Sequence, residues 1–592
     1  MKLCPVICKV FLGCVLFCDI SPSALAAETP QPADVIIFNA KVVTVNSNFM
    51  VAEAIAVRGD QIVAVGKDRQ VEKLKGPATR MIDAKGRTVM PGLCDSDVHS
   101  YGAAVSESNA PAPAFHSIAE TLQYIRRQTA EKPPDSWIIV EHAYPTRLTE
   151  DRLPTKAELD AAAPKHPVYW NCGAIAMINS KALAIAKITT LTTNPPGGEV
   201  VLDEATRQPT GLLRNAGSLL KLPVVPPPTA PQKREALKHL YQLYNQQGIT
   251  SIGESAAEPE AIDLFRDLSQ SNELTVRIVC ARSVTPSATA DTNLALLAAL
   301  TNAPSGKLPY GPTGVGDDWV RIGPLRTRLD GDIREGTAYM RTPWGIGPTY
   351  QITEPAYRGQ LLQNPDLLFN LFLQAAQANW QISADCTGDA ALDQLLNCIQ
   401  KVQFKTNITQ RRFLINHASF QALQNWARCR ELGLVASMQP AWLYCDGANL
   451  GKNIGDKRLR NFLAFKSWFD ARLTFGAGSD HIAGLDSLGS TNPWNPWLGL
   501  WITLARQNDQ GAEIWPEEKL TREQAIQIYT INNAYLSFDE KKKGSLEPGK
   551  LADLIMIDKD LLKCPVDEIR QTKVQLTMVG GKIVWEEKQA QD

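Results

Sequence analysis

A (β/α)8 barrel of the TIM type, with a small β-sandwich-like domain built from both chain ends, is the fold class this sequence predicts. Three observations predict it. The two ends are rich in short β-like runs, the middle repeats helix-then-strand units, and one stretch between them fits neither pattern. At 592 residues the chain is long enough to bury a large core and to carry a satellite domain.

The first residues stand apart. Lys2 and Lys9 precede an apolar run over 10–17, Ser21 and Pro22 break it, and Ala24-Leu25-Ala26 puts small residues at both key cleavage positions. That is the pattern of a secretory signal peptide over 1–26, too short to span a membrane, and it predicts a periplasmic or secreted chain. Cys14 after Phe11-Leu12-Gly13 offers a lipoprotein alternative, weakened by its closeness to Lys9.

Residues 33–90 read as a meander. Val35-Ile36-Ile37-Phe38 leads to Lys41-Val42-Val43-Thr44-Val45, and Ala54-Ile55-Ala56-Val57 turns at Arg58-Gly59-Asp60 into Gln61-Ile62-Val63-Ala64-Val65. The far end mirrors them over 545–586, where 551–557 is apolar apart from Asp553 and 574–579 meets Lys582-Ile583-Val584 across Gly580-Gly581. One small sheet assembled from both termini follows.

Between them, 91–544 alternates. Residues 231–247 have helical periodicity, stop at Gly248 and run into Ile249-Thr250-Ser251-Ile252. Helix–strand pairs recur at 262–268 with 274–280, 367–378 with 381–383, and 392–402 with 413–415. Two more follow at 426–432 with 434–436 and 462–469 with 473–475. So many αβ units call for a parallel sheet covered by helices, closed as a barrel. The proline-rich stretch 222–231 marks a stiff connection, and 151–231 is expected to be an insertion packed near the barrel mouth.

Composition excludes several function classes. The net charge of -1 and the lack of a Lys/Arg tract give no field for nucleic acid, and no later stretch reaches membrane length. Of the twelve cysteines, Cys4, Cys8, Cys14 and Cys18 lie in the leader. The others are scattered without a CxxC pair, which argues for buried free thiols over a zinc knuckle or redox motif. A small molecule is the expected partner.

Residues i and i+2 of a strand point the same way, so Asp97 and His99 both can face the barrel mouth. Asp385, His417 and Asp480 also fall at the ends of predicted strands, where barrels of this kind keep their active sites. Imidazoles and carboxylates from several strands, with an open position, can hold a divalent metal and lower the pKa of its water.

The motifs carry a resemblance. Met90-Pro91-Gly92-Leu93-Cys94-Asp95-Ser96-Asp97-Val98-His99 resembles the Pro-Gly-Leu-Ile-Asp-x-His-x-His signature of metal-dependent amidohydrolases. Ser545-Leu546-Glu547-Pro548-Gly549-Lys550-Leu551-Ala552-Asp553-Leu554 looks like their return to the β domain. Asn179-Ser180-Lys181-Ala182-Leu183, Asn416-His417-Ala418, Gly478-Ser479-Asp480 and Asn495-Pro496-Trp497-Leu498-Gly499 are similar, in order, to landmarks of the YtcJ-like "amidohydrolase 3" branch. The resemblance implies hydrolysis of an amide or cyclic-amide C–N bond. Asp97, His99, Asp385, His417 and Asp480 would hold the metal, and Asp480 would move the proton. Zinc is the first expectation, with Mn²⁺ or Fe²⁺ behind it because the set is carboxylate-rich. A homodimer is left open, since such barrels often pair.

The chain also departs from that pattern. Asp97 stands where the family has the first His of His-x-His, and Asp385-Cys386-Thr387-Gly388-Asp389 replaces His-Ala-Ile-Gly-Asp. Arg326, ahead of Asp330-Gly331, aligns with a Lys that the family can carbamylate, a role closed to a guanidinium. Cys172-Gly173-Ala174 replaces Asp-Gly-His. Two readings follow. Either the metal site is re-tuned, or Arg326 supplies the metal's charge in a metal-free, non-catalytic exported binding protein or inactive paralogue. Arg326, Asp330 and His481 are thus candidates for substrate contact or charge compensation. Trp494, Trp497 and Trp501 are expected to pack a loop rather than line a pocket.

Overall fold

The computed structural model describes residues 31–107, 113–195 and 197–588. The proposed leader lies outside them. Eight parallel strands follow one another around a barrel in chain order. They are Leu93–Val98, Ile249–Glu254, Arg277–Ser283, Val320–Arg328, Ile382–Cys386, Leu414–His417, Val435–Met438 and Phe475–Ala477. The last strand returns to the first. The Asp480 amide donates to the Asp97 carbonyl at 2.8 Å, and the His99 amide donates to the His481 carbonyl at 2.8 Å. The barrel's alternating helices pack apolar stripes such as Leu237, Leu240, Tyr241 and Tyr244 against this sheet.

Both chain ends meet in a six-stranded sheet. Leu554–Ile557 pairs antiparallel with Thr88–Pro91, which neighbours Lys41–Val43, and Val574–Val579 and Lys582–Glu586 extend the other side. Four N-terminal strands, from Val35–Phe38 to Arg80–Asp83, make a second sheet. Val42, Ile55, Val89, Leu554, Leu576 and Met578 fill the space between. A buried ion pair bolts this domain to the barrel. Arg277 Nε donates to Asp553 at 2.7 Å, Asp553 also takes the Gly580 amide at 2.8 Å, and Arg277 lies 4.6 Å over the Trp319 ring. That pairing explains the lone acid in an otherwise apolar run.

The insertion carries its own five-stranded sheet with a separate core around Tyr169, Ile178 and Leu213. It starts at Ile138, upstream of the expected 151, because Ile138–Glu141 pairs in parallel with Val168–Asn171 and joins the same sheet. Helix Ala230–Gln246 then returns the chain to the second barrel strand. Cys94, Cys172, Cys280, Cys386, Cys398, Cys429, Cys445 and Cys564 are free thiols. Trp494, Trp497 and Trp501 are buried packing residues, as expected. Among the described residues no helix is long and apolar enough to cross a membrane.

Asp553→Ala would strand a buried guanidinium, which costs about 3–5 kcal/mol. The expected outcome is a clearly lower thermal midpoint by calorimetry, whereas an unchanged midpoint would show that the pair does not join the two units.

Candidate active site

Barrel closure builds the site. Because Asp97 and Asp480 are hydrogen-bonded through their backbones, side chains nearly four hundred residues apart share one corner of the mouth. Ligating atoms of Asp97, His99 and Asp480 lie within 4.8 Å of one another. The seam tolerates no bulk: a Cβ on Gly478 would sit 2.7 Å from the Asp97 amide nitrogen. Asp480 and His417 both adopt left-handed backbone, φ 56° and 69°. Such strain costs roughly 1–2 kcal/mol per residue and here turns each side chain at its strand end.

Asp97 is buried and hydrogen-bonded on both oxygens. Oδ1 accepts from Arg326 Nη1 at 2.9 Å and from Ser255 Oγ, while Oδ2 accepts from Asn416 Nδ2 at 2.9 Å. Burial opposes its ionisation, but the Arg326 charge holds its carboxyl well below the usual carboxylate range. Asp385 Oδ1 accepts from Arg326 Nε at 2.8 Å and from Asn416 Nδ2 at 3.1 Å, and it too is held low by Arg326 against burial. Arg326 therefore forks between two strands' carboxylates, and their charges raise its pKa further despite burial.

Asp480 is gripped on its other oxygen. Oδ2 accepts from Asn492 Nδ2 at 3.1 Å and lies 3.4 Å from Arg334 Nη1, leaving Oδ1 3.5 Å from His99 Nε2. Burial disfavours a charged His99, yet the Asp480 carboxylate beside it lifts its pKa above the ordinary imidazole value. His99 is the most open of the three, its side chain 33% exposed. Arg334 pairs with Asp332 at 2.6 Å and lies over the rings of Tyr144 at 4.6 Å and Trp442 at 4.3 Å. Tyr144 and His142 come from the insertion; burial and the Arg334 charge push His142 down to about 4. Below the mouth, small residues such as Ser96, Ser255 and Ser383 leave a cavity of about 60 Å³ beside Asp97 and Arg326.

His417 stacks on Trp442, ring centroids 4.8 Å apart, and its Nδ1 lies 3.0 Å from Gln439 Oε1. Gln439 Nε2 donates to Asp97, so its oxygen faces His417 and assigns the proton to Nδ1. Asp385 and His417 stand outside the Asp97–His99–Asp480 group.

Two expectations need correction. Asp330 was expected to meet substrate or balance charge. Instead it is buried and accepts the amides of Thr387, Gly388 and Tyr339 at 2.8–2.9 Å, clasping two loops, with burial pushing its carboxyl up to about 7. His481 is fully buried, one nitrogen 2.7 Å from Tyr244 Oη and the other 2.7 Å from the Gly484 carbonyl, and burial lowers it to about 4. Neither ring nitrogen is open to a ligand. Sequence reasoning missed Arg334, Ser255, Gln439 and Asn492. Asn416 was missed as well, although it directly precedes His417 in the chain.

The donor set fits a divalent cation: two carboxylates and an imidazole gather at a partly open position.

A (β/α)8 barrel whose strand ends gather carboxylates and imidazoles defines a hydrolase-type catalytic mouth. The amidohydrolase family model matches residues 80–585, and the chain belongs to that family of enzymes acting on C–N bonds. It is 25% identical to the N-substituted formamide deformylase of Arthrobacter pascens, over 94% of this chain and 99% of that one. It is equally 25% identical to YtcJ of Bacillus subtilis, over 90% of this chain and 96% of that one. A solved metal-dependent hydrolase of uncharacterised function from Pyrococcus horikoshii shares the fold, with TM-score 0.63, 19% identity and coverage of 90% and 99%.

His481→Phe would leave the Tyr244 hydroxyl and Gly484 carbonyl unpaired, at about 1–3 kcal/mol for a buried group. Thermal unfolding should show that loss; an unshifted midpoint would return His481 to the candidates for ligand contact.

Proposed function

We propose that this chain hydrolyses an amide or cyclic-amide C–N bond of a small molecule at a divalent-cation centre held by Asp97, His99 and Asp480. The convergence of their ligating atoms within 4.8 Å carries the reading. The relative named for N-substituted formamides supports the substrate class. Zinc is the first candidate, and the carboxylate-rich set also suits Mn²⁺ or Fe²⁺. The leader-like residues 1–26 support a reaction in the periplasm or outside the cell.

A cation bound there would polarise the scissile carbonyl and acidify a water. The chain's own groups do the rest. Asn492 and Arg334 fix Asp480 Oδ2, so Oδ1 is the atom that takes the proton from the attacking water and passes it to the leaving nitrogen. Arg326 and Asn416 stop Asp97 from rotating, because each of its oxygens is bound from a different strand. His99 fronts the opening beside Asp480. His142 and Tyr144 of the insertion flank the mouth and limit access of bulk water.

Asp480→Asn keeps the seam but loses the base, so kcat on an N-substituted formamide or cyclic amide should fall by about 10²–10⁴-fold. A variant at full rate would remove Asp480 from proton transfer. Protein purified without chelator should contain a divalent ion by elemental analysis, and an Asp97→Ala, His99→Ala double variant should lose it. No ion in the parent chain, even after reconstitution with Zn²⁺ or Mn²⁺, would leave the Arg326-neutralised binding protein instead.

A further inference from the structure

The charge balance of the mouth says more than that an ion fits. Asp97, Asp332, Asp385 and Asp480 converge there with Arg326 and Arg334. With the Arg328–Glu335 pair at 3.8 Å balanced beside them, four carboxylates against two guanidinia leave two uncompensated negative charges when the imidazoles are neutral. One divalent ion cancels them. A second would leave an excess of positive charge among buried groups, where unpaired charge is costly.

Donor geometry gives the same limit independently. Asp97, His99 and Asp480 form a donor group, and among the described residues Asp385 and His417 join no such group. Asp385 Oδ1 is already held at 2.8 Å by Arg326 Nε and at 3.1 Å by Asn416. Arg326 lies directly between Asp385 and Asp97, bound to both, at the place where an ion shared by them would sit. A guanidinium does not lose its proton, so it cannot give way to a metal by titration as a lysine could.

We infer that Arg326 is a built-in cation that restricts this centre to a single divalent ion, and that removing it opens a second cation position between Asp97 and Asp385. The inference rests on the metal-centred reading above. The second position would draw on Asp385, the inner face of Asp97 and His417 Nε2, which lies 3.5 Å from the Asn416 amide that binds both carboxylates. Arg326→Gln keeps a polar group of moderate reach while deleting the charge.

The test is manganese loading of the parent chain and of Arg326→Gln, with excess ion removed by gel filtration. Manganese per chain is read by elemental analysis, and spin coupling by electron paramagnetic resonance. The parent should hold one Mn²⁺ with the spectrum of an isolated ion, and Arg326→Gln should double the count and show an exchange-coupled pair. Two ions in the parent chain would overturn this inference while leaving the proposed function standing. A folded Arg326→Gln with only one ion would overturn the role given to Arg326. No ion in the parent would overturn both readings. If Arg326→Gln does not fold, the parent's stoichiometry and spectrum decide alone.

Discussion

Closure of the barrel between its first and eighth strands is the constraint on which the site depends. Two backbone hydrogen bonds, Asp480 to Asp97 and His99 to His481, set the register of residues at opposite ends of the barrel sequence. Polar side chains lock it. Asp95 accepts the Ser479 amide at 2.9 Å, and Asn533 Nδ2 donates to the carbonyls of Cys94 and Ala477, one from each seam strand. Burial pushes Asp95 up to about 7, so even this clasp sits in a place where charge is disfavoured. Slippage at the seam by one residue would turn Asp97 and His99 away from Asp480.

Charge compensation is the second constraint. Gathering so many carboxylates in a barrel mouth is unfavourable unless cations lie among them. Two arginines from the same segment provide them, each for a different half of the site. Arg326, on the fourth strand, binds Asp97 and Asp385; Arg334, in the loop beyond that strand, binds Asp332 and approaches Asp480. Arg334 is itself held by Tyr144 and Trp442, and Arg147 pairs with Asp446 at 2.9 Å nearby. The insertion thereby touches the chemistry through an aromatic ring and a guanidinium rather than through a ligand.

Local pattern made the barrel legible. Alternation of helical and strand-like runs located most barrel strands, and the i, i+2 spacing placed Asp97 and His99 on one face. Asp480 was legible because Gly478 and Ser479 precede it in a motif, and the structure shows why that glycine is there. What local pattern could not supply was pairing across the barrel. Arg334 has no sequence signal, since its partners Tyr144 and Trp442 lie far away in the chain. His481 follows Asp480 directly and so reads as a candidate for substrate contact or charge compensation, yet consecutive residues at a strand end face opposite ways, and it points into the packing against Tyr244 and Trp494. Asp330, singled out by its place beside Gly331 after Arg326, instead holds three backbone amides that no local pattern reveals.

The central claim is spatial: one cation position, at the seam, between the first and eighth strands. Anomalous diffraction from crystals of the manganese-loaded chain tests it most directly. The account predicts a single anomalous peak within coordination distance of Asp97, His99 and Asp480, with Arg326 still bound to Asp385. A peak between Asp385 and His417, with Arg326 displaced, would contradict it.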